Sequence, residues 1–140
     1  MSASTLRIVI AVFLFVHAIG HMQGVVAAAG LLNSKSWNAS SWLFDNILGR
    51  TASRTLALVL FAVCVLGFLA TAFSFVGIGL PHGWWRSLAV IFAVPSLAGL
   101  VFYWTAFAQL FNKAGALLVN GWILVGVLAL GWPTEAELGI

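Results

Sequence analysis

Charged side chains are scarce in this chain. There are nine among 140 residues, six basic and three acidic, or 6%. Soluble globular domains carry about 25%. Nine ions cannot make a water-facing surface of ordinary size, so a soluble domain is excluded. The Lys and Arg residues are scattered and form no run. A phosphate-tracking surface needs them clustered, so nucleic acid is excluded as a partner despite the net charge of +3. Cysteine occurs once, as Cys64 inside an apolar run. An intrachain disulfide and a CxxC motif are therefore ruled out, and Cys64 is expected to behave as a small buried hydrophobe. P-loop, nucleophile elbow, HExxH and Rossmann fingerprints are absent.

What the chain has in abundance is apolar surface. It is 63% hydrophobic with a mean hydropathy of +1.12. A bilayer core needs roughly 20 mostly apolar residues per spanning helix, and four segments qualify: 8–32, 55–80, 87–111 and 114–132. The expected fold is a single all-α domain, an integral membrane four-helix bundle over 1–140. The first break is the polar stretch 33–54, and the second is the Gly79-Leu80-Pro81-His82-Gly83 turn. The third is short, at Asn112-Lys113. A single helix over 88–132 would be about 65 Å long, twice a bilayer, so a reversal near Asn112 is expected. The first span has features of a signal peptide, with Arg7 before it and Ala27-Ala28-Ala29 within it. Its apolar stretch exceeds the 7–15 residues of such a segment, which favours a retained span.

Within the first loop, 40–49 reads as a short apolar helix lying in the interface. Ser40 or Ser41 would cap it, Gly49 would end it, and Trp37 and Trp42 would sit at headgroup level. Trp84, Trp85 and Trp132 are expected to form the belt on the other side. Asn38-Ala39-Ser40 fits a glycosylation sequon, a motif frequent by chance. One side carries Lys35, Arg50, Arg54 and Lys113. The other carries Arg7 and Arg86, with Glu135 and Glu137 in the tail. This balance places the first loop inside and both termini outside.

In hydrocarbon an ionisable residue is a functional candidate by default. His17 and His21 lie four residues apart, hence on one face of the first helix. Gly20 and Gly24 form a small-xxx-small pair that would let another helix approach that face. Two histidines at this spacing can ligate a transition metal together. They can also pass a proton, or one can bind haem axially. The alternative is a pair of neutral histidines that fix helix packing. A full metal site needs three or four ligands. His82 lies in a loop and no Asp or Glu falls inside a span, so one chain supplies an incomplete set.

Depth arithmetic puts Asn120 level with His21, with Tyr103 a few ångströms deeper and Cys64 close. Small or polar stripes recur at helical spacing: Cys64, Gly67, Thr71 and Ser74; Ser96, Gly99 and Tyr103; Asn112, Ala116 and Asn120. The expected site is a polar cluster of His17, His21, Tyr103 and Asn120, set against plain interhelical hydrogen bonding. Pro95 is expected to kink the third span. Trp104 and Trp122 are expected to pack inside the bundle or against a flat ligand, and Gln109 and Lys113 to reach the interface.

The stretch His17-Ala-Ile-Gly-His21-Met-Gln-Gly24 resembles the HxxxHxxG opening of a group of bacterial four-helix inner-membrane proteins. Ser53-Arg54, Trp84-Trp85, and Lys113 with Gly115 and Asn120 are similar to further short motifs of that group. The Asn spacing is one residue longer here. More distantly, the size and layout resemble DoxX-like proteins, some of whose relatives are tied to quinone-linked redox chemistry. The resemblance implies a multi-pass protein of the bacterial cytoplasmic membrane. Three functions stay open: an accessory subunit of a larger membrane complex, a haem-, metal- or quinone-binding protein using His17 and His21, and an oligomeric transporter or proton path. The expected partners are the lipid bilayer and a homo-oligomer or larger membrane complex.

Overall fold

A computed structural model describes residues 2–31, 38–104 and 110–140. Lys35, Trp37 and Gln109 lie outside the described residues. Among the described residues the chain is all-α, with four helices long and apolar enough to span a bilayer. Helix α1 is Ala3–Ala29, α2 Phe44–Leu48, α3 Arg50–Val76, α4 Trp85–Phe102 and α5 Leu110–Leu124. The last continues as a π turn, Val125–Ala129, and α6 is Glu135–Leu138. Both termini and the α3–α4 turn share one side, here the terminal side. The α2 loop and the α4–α5 connection share the other, the loop side.

The spanning helices begin and end where local chemistry sets them. Ser2 caps α1, its Oγ accepting from Thr5 N, so α1 starts five residues before the expected 8. It closes at Gly30, whose φ of +79° lets Leu31 N reach back to Val26 O. Helix α3 takes in Arg50 and Arg54, which were expected in the loop. Arg54 Nε donates to Ala28 O at 2.6 Å and so tethers the end of α1. The third span was expected to run to 111, but α4 stops at Phe102. Its last carbonyls are taken from outside the helix: Ser41 Oγ donates to Phe102 O and Trp42 Nε1 to Val101 O, each at 2.7 Å. Helix α5 has already begun at Leu110. Asn112 and Lys113 belong to the first turn of α5, where Lys113 Nζ sits 4.6 Å from the Trp104 ring centroid.

The interfacial helix is present but shorter than expected. Its N-cap position is Leu43, and Ser41, two residues earlier, accepts from Phe44 N at 3.0 Å through its Oγ; Gly49 separates the helix from α3. The expected tryptophan belt is corrected at one position. Trp84 is exposed, whereas Trp85 is buried against Phe75 with ring centroids 4.5 Å apart. Trp85 starts α4 on its inward face, one residue beyond the outward-facing Trp84. On the terminal side α6 is opened by a capping box. Thr134 N and Oγ1 bond the Glu137 carboxylate, which holds that carboxyl below its usual range.

Packing runs in a row: α1 along α3, α3 along α4, α4 along α5. Small residues let bulky ones in. Phe61 of α3 lies over Gly24, and Phe92 of α4 lies over Gly67. The predicted stripes face inward, with Cys64, Gly67, Thr71, Ser74, Ser96, Gly99 and Asn120 all buried. Helices α1 and α5 close the row only partly. Among the described residues they meet toward the terminal side, where Phe13 packs edge-on against Trp122 at 6.1 Å. From there toward the loop side a cleft separates them.

Candidate functional site in the cleft between α1 and α5

The cleft has a volume of about 390 Å³, within the range of small-molecule pockets. Phe13, Val16, Gly20 and Gln23 of α1 form one wall, and Phe111, Gly115, Ala116 and Val119 of α5 form the other. Two glycines widen it, since a Cβ added at Gly20 or Gly115 meets nothing within 4 Å. Gly20 thus does not serve the close helix approach expected of it; only Gly24 does. Phe111, 85% exposed, stands at the mouth. The opening lies between two helices long and apolar enough to span a bilayer.

The floor is polar. His17 and His21 project from α1, their Nε2 atoms 3.3 Å apart. His21 Nε2 is 2.9 Å from Ser96 Oγ of α4, and Asn120 Nδ2 of α5 donates to Ser96 Oγ at 2.8 Å. The same Nδ2 donates to Ala116 O at 2.8 Å, and the Asn120 side chain lies beside His17. Asn120 Oδ1 is buried without a hydrogen-bond partner. Counting about 1.5 Å per residue from the loop-side helix ends, His17, His21 and Asn120 lie about 12–18 Å deep. One hydrogen-bonded line therefore joins three spanning helices near mid-membrane.

Aromatic rings hold the histidines in place. His21 lies parallel to Phe68, 3° between planes and 5.6 Å between centroids, while His17 meets Phe68 edge-on at 4.6 Å. Phe61 flanks His21 at 6.1 Å. These rings pack on the imidazoles from α3, and both imidazoles also line the cleft.

Of the expected cluster, the structure joins His17, His21 and Asn120 and leaves Tyr103 out. Tyr103 follows the end of α4 on the loop side, where its hydroxyl donates to Ser53 O at 2.7 Å. The expected span ran on to 111, which placed Tyr103 too deep; the early end of α4 moves it toward the surface. Ser96 takes its place as the joint between α1 and α5. Its signal was its position seven residues before Tyr103 on the same small-residue stripe.

The donor set decides what this floor can hold. Two nitrogens on one tetrahedral zinc, with Zn–N of about 2.0–2.1 Å, stand about 3.3–3.4 Å apart, so the imidazole pair has the spacing of two metal ligands. The groups around it are neutral, however. No group of three His, Cys, Asp or Glu that could hold a metal occurs among the described residues. A divalent ion here would lack a compensating anion in a medium of low dielectric. Axial haem ligation fits poorly as well, because the two Nε2 atoms face each other and neither is free without breaking the pair. A neutral, hydrogen-bonding ligand with an apolar body matches both floor and walls. No family model, curated protein or solved structure matches this chain.

Proposed function

We propose that this chain is a bacterial inner-membrane protein that takes a lipophilic, ring-headed molecule of the quinone class from the bilayer into the α1–α5 cleft. One observation carries the reading: a laterally open, aromatic-walled cleft ends on the hydrogen-bonded His17–His21 pair. Phe13, Phe61 and Phe111 offer flat apolar walls to a ring. The gap between the helices gives a prenyl or alkyl tail a way to remain in lipid. His17 and His21 supply hydrogen-bonding nitrogens where water is excluded, and such bonds fix the orientation of a bound head. The resemblance of 17–24 to the HxxxHxxG group supports the placement in a bacterial cytoplasmic membrane. A proton path draws less support, because the polar line is confined to mid-membrane and ends on the amide of Asn120, which does not titrate.

The reading is tested by titrating the protein in lipid nanodiscs with a decyl-tailed hydroquinone and with its quinone, following tryptophan fluorescence. Trp122, edge-on to Phe13 at the closed end of the cleft, is placed to report. Saturable binding of at least one form is expected. Gly20→Leu, whose Cβ meets only open space and whose side chain would fill the cleft, should weaken it by about tenfold or more. Unchanged binding in Gly20→Leu would move the ligand out of this cleft. A Soret band or stoichiometric metal in the purified protein would replace the proposal with a haem or metal site.

A further inference from the structure

Away from the cleft, the loop side carries positive charge that the protein leaves unanswered. Arg50 and Arg54 stand one turn apart at the start of α3, and both are exposed. Arg54 is fixed in place. Its Nε donates to Ala28 O near the end of α1, and its Nη2 lies over Gly30, where an added Cβ would collide with it. A guanidinium has five N–H groups, and Ala28 takes one of them. Among the described residues nothing accepts from the other four, and Arg50 has neither a hydrogen bond nor an ion pair. Asp45, the one aspartate of the chain, instead accepts from Ser41 N through Oδ1. The two glutamates lie in the tail, on the terminal side.

We propose that Arg50 and Arg54 hold the phosphate of an anionic phospholipid from the leaflet on the loop side. Guanidinium forks match phosphate oxygens, and a guanidinium already held by Ala28 O loses little freedom on binding one. Apolar neighbours choose a lipid over a soluble phosphate. Ile47 and Leu48 of α2, just before Arg50 in the chain, are 65% and 48% exposed. A lipid's glycerol and upper chains cover such side chains, whereas a free phosphate leaves them in water. Charge chooses an anionic head over a zwitterionic one. A choline or ethanolamine brings its own cation beside two arginines, and no unpaired carboxylate on this side answers it. Because Arg54 also bonds the end of α1, the lipid sits on the joint between α1 and α3 and is expected to stabilise it.

Native mass spectrometry of the full chain, released from nanodiscs of mixed phosphatidylcholine and phosphatidylglycerol, counts the lipid each form retains. Thermal unfolding in phosphatidylcholine nanodiscs with and without phosphatidylglycerol reads its effect on stability. Wild type is expected to retain phosphatidylglycerol in preference to phosphatidylcholine and to unfold at a higher temperature when it is present. Each arginine should contribute about fivefold to that preference. Arg50→Gln carries the test, because Arg50 bonds nothing in the fold: a drop of about fivefold is expected with the helical circular dichroism spectrum unchanged. Arg7→Gln removes the same charge on the terminal side and should leave the preference intact. An equal drop in Arg7→Gln would reveal diffuse attraction and overturn the site. The same stabilisation from inorganic phosphate in pure phosphatidylcholine nanodiscs would overturn the lipid as the partner. A wild type without preference, or an Arg50→Gln variant that keeps all of it, would overturn the proposal. No cleft residue takes part, so each of these failures leaves the quinone reading where it stands.

Discussion

At the scale of single residues, two glycines four apart on α1 have opposite surroundings. A Cβ on Gly24 would lie 2.6 Å from the Phe61 ring. That ring cannot retreat easily, since Gly99 stands behind it, with Tyr103 at 5.8 Å and His21 at 6.1 Å. Gly24→Val is therefore expected to destabilise the protein by about 1–3 kcal/mol, the range for overpacking a filled site. Gly20→Val opens onto the cleft and should leave stability within about 0.5 kcal/mol of wild type. Thermal unfolding of both variants in the same detergent checks the pair, and equal losses would refute the asymmetry. Ser53 adds a second contrast. Its Oγ is buried without a partner while its carbonyl accepts from Tyr103. Ser53→Ala is thus expected to be neutral or slightly stabilising, whereas Tyr103→Phe removes a buried hydrogen bond and should cost about 1 kcal/mol.

At the scale of elements, the loop between α1 and α3 acts as a clamp on α4. Ser41 donates to Phe102 O while its oxygen accepts from Phe44 N, so one hydroxyl ends one helix and starts another. Trp42 closes a second α4 carbonyl. In hydrocarbon these carbonyls have no water to turn to, which is why a polar loop folds down over a helix end. Ser41→Ala should cost about 1–2 kcal/mol. It should also loosen α2 and speed tryptic cleavage at Arg50, which is exposed at the start of α3. Cleavage at the wild-type rate would show that the loop is held by other contacts.

At the scale of the whole molecule, four spans put both termini and the 77–84 turn on one side and the α2 loop on the other. Basic residues flank the loop side more densely, with Arg50, Arg54 and Lys113 against Arg7 and Arg86. The positive-inside rule then predicts a cytoplasmic α2 loop. Cys64 is the only cysteine and is buried, so a Cys64→Ala background makes labelling clean. Gly83→Cys should react with a membrane-impermeant maleimide on intact spheroplasts, and Asn46→Cys only after permeabilisation. The reverse pattern would invert the topology and turn the mouth of the cleft, which lies toward the loop side, to the opposite leaflet.

The sequence by itself determined the solvent and the architecture. Nine charges and four long apolar runs leave a multi-pass helical protein as the consistent fold, because backbone groups in lipid must be satisfied within each segment. It also put His17 and His21 on one face, since a helical period needs no neighbours to act. Helix ends were less legible. Arg54, Ser41 and Trp42 terminate helices they do not belong to, so the length of α4, and with it the place of Tyr103, depended on contacts up to 61 residues apart in the chain. Only the tertiary structure decided that Ser96 joins the histidines to Asn120 and that α1 and α5 part to form a cleft. A stripe of small residues announces an inward face, but which residue it meets, or whether it meets open space as Gly20 does, is set by how the other helices pack.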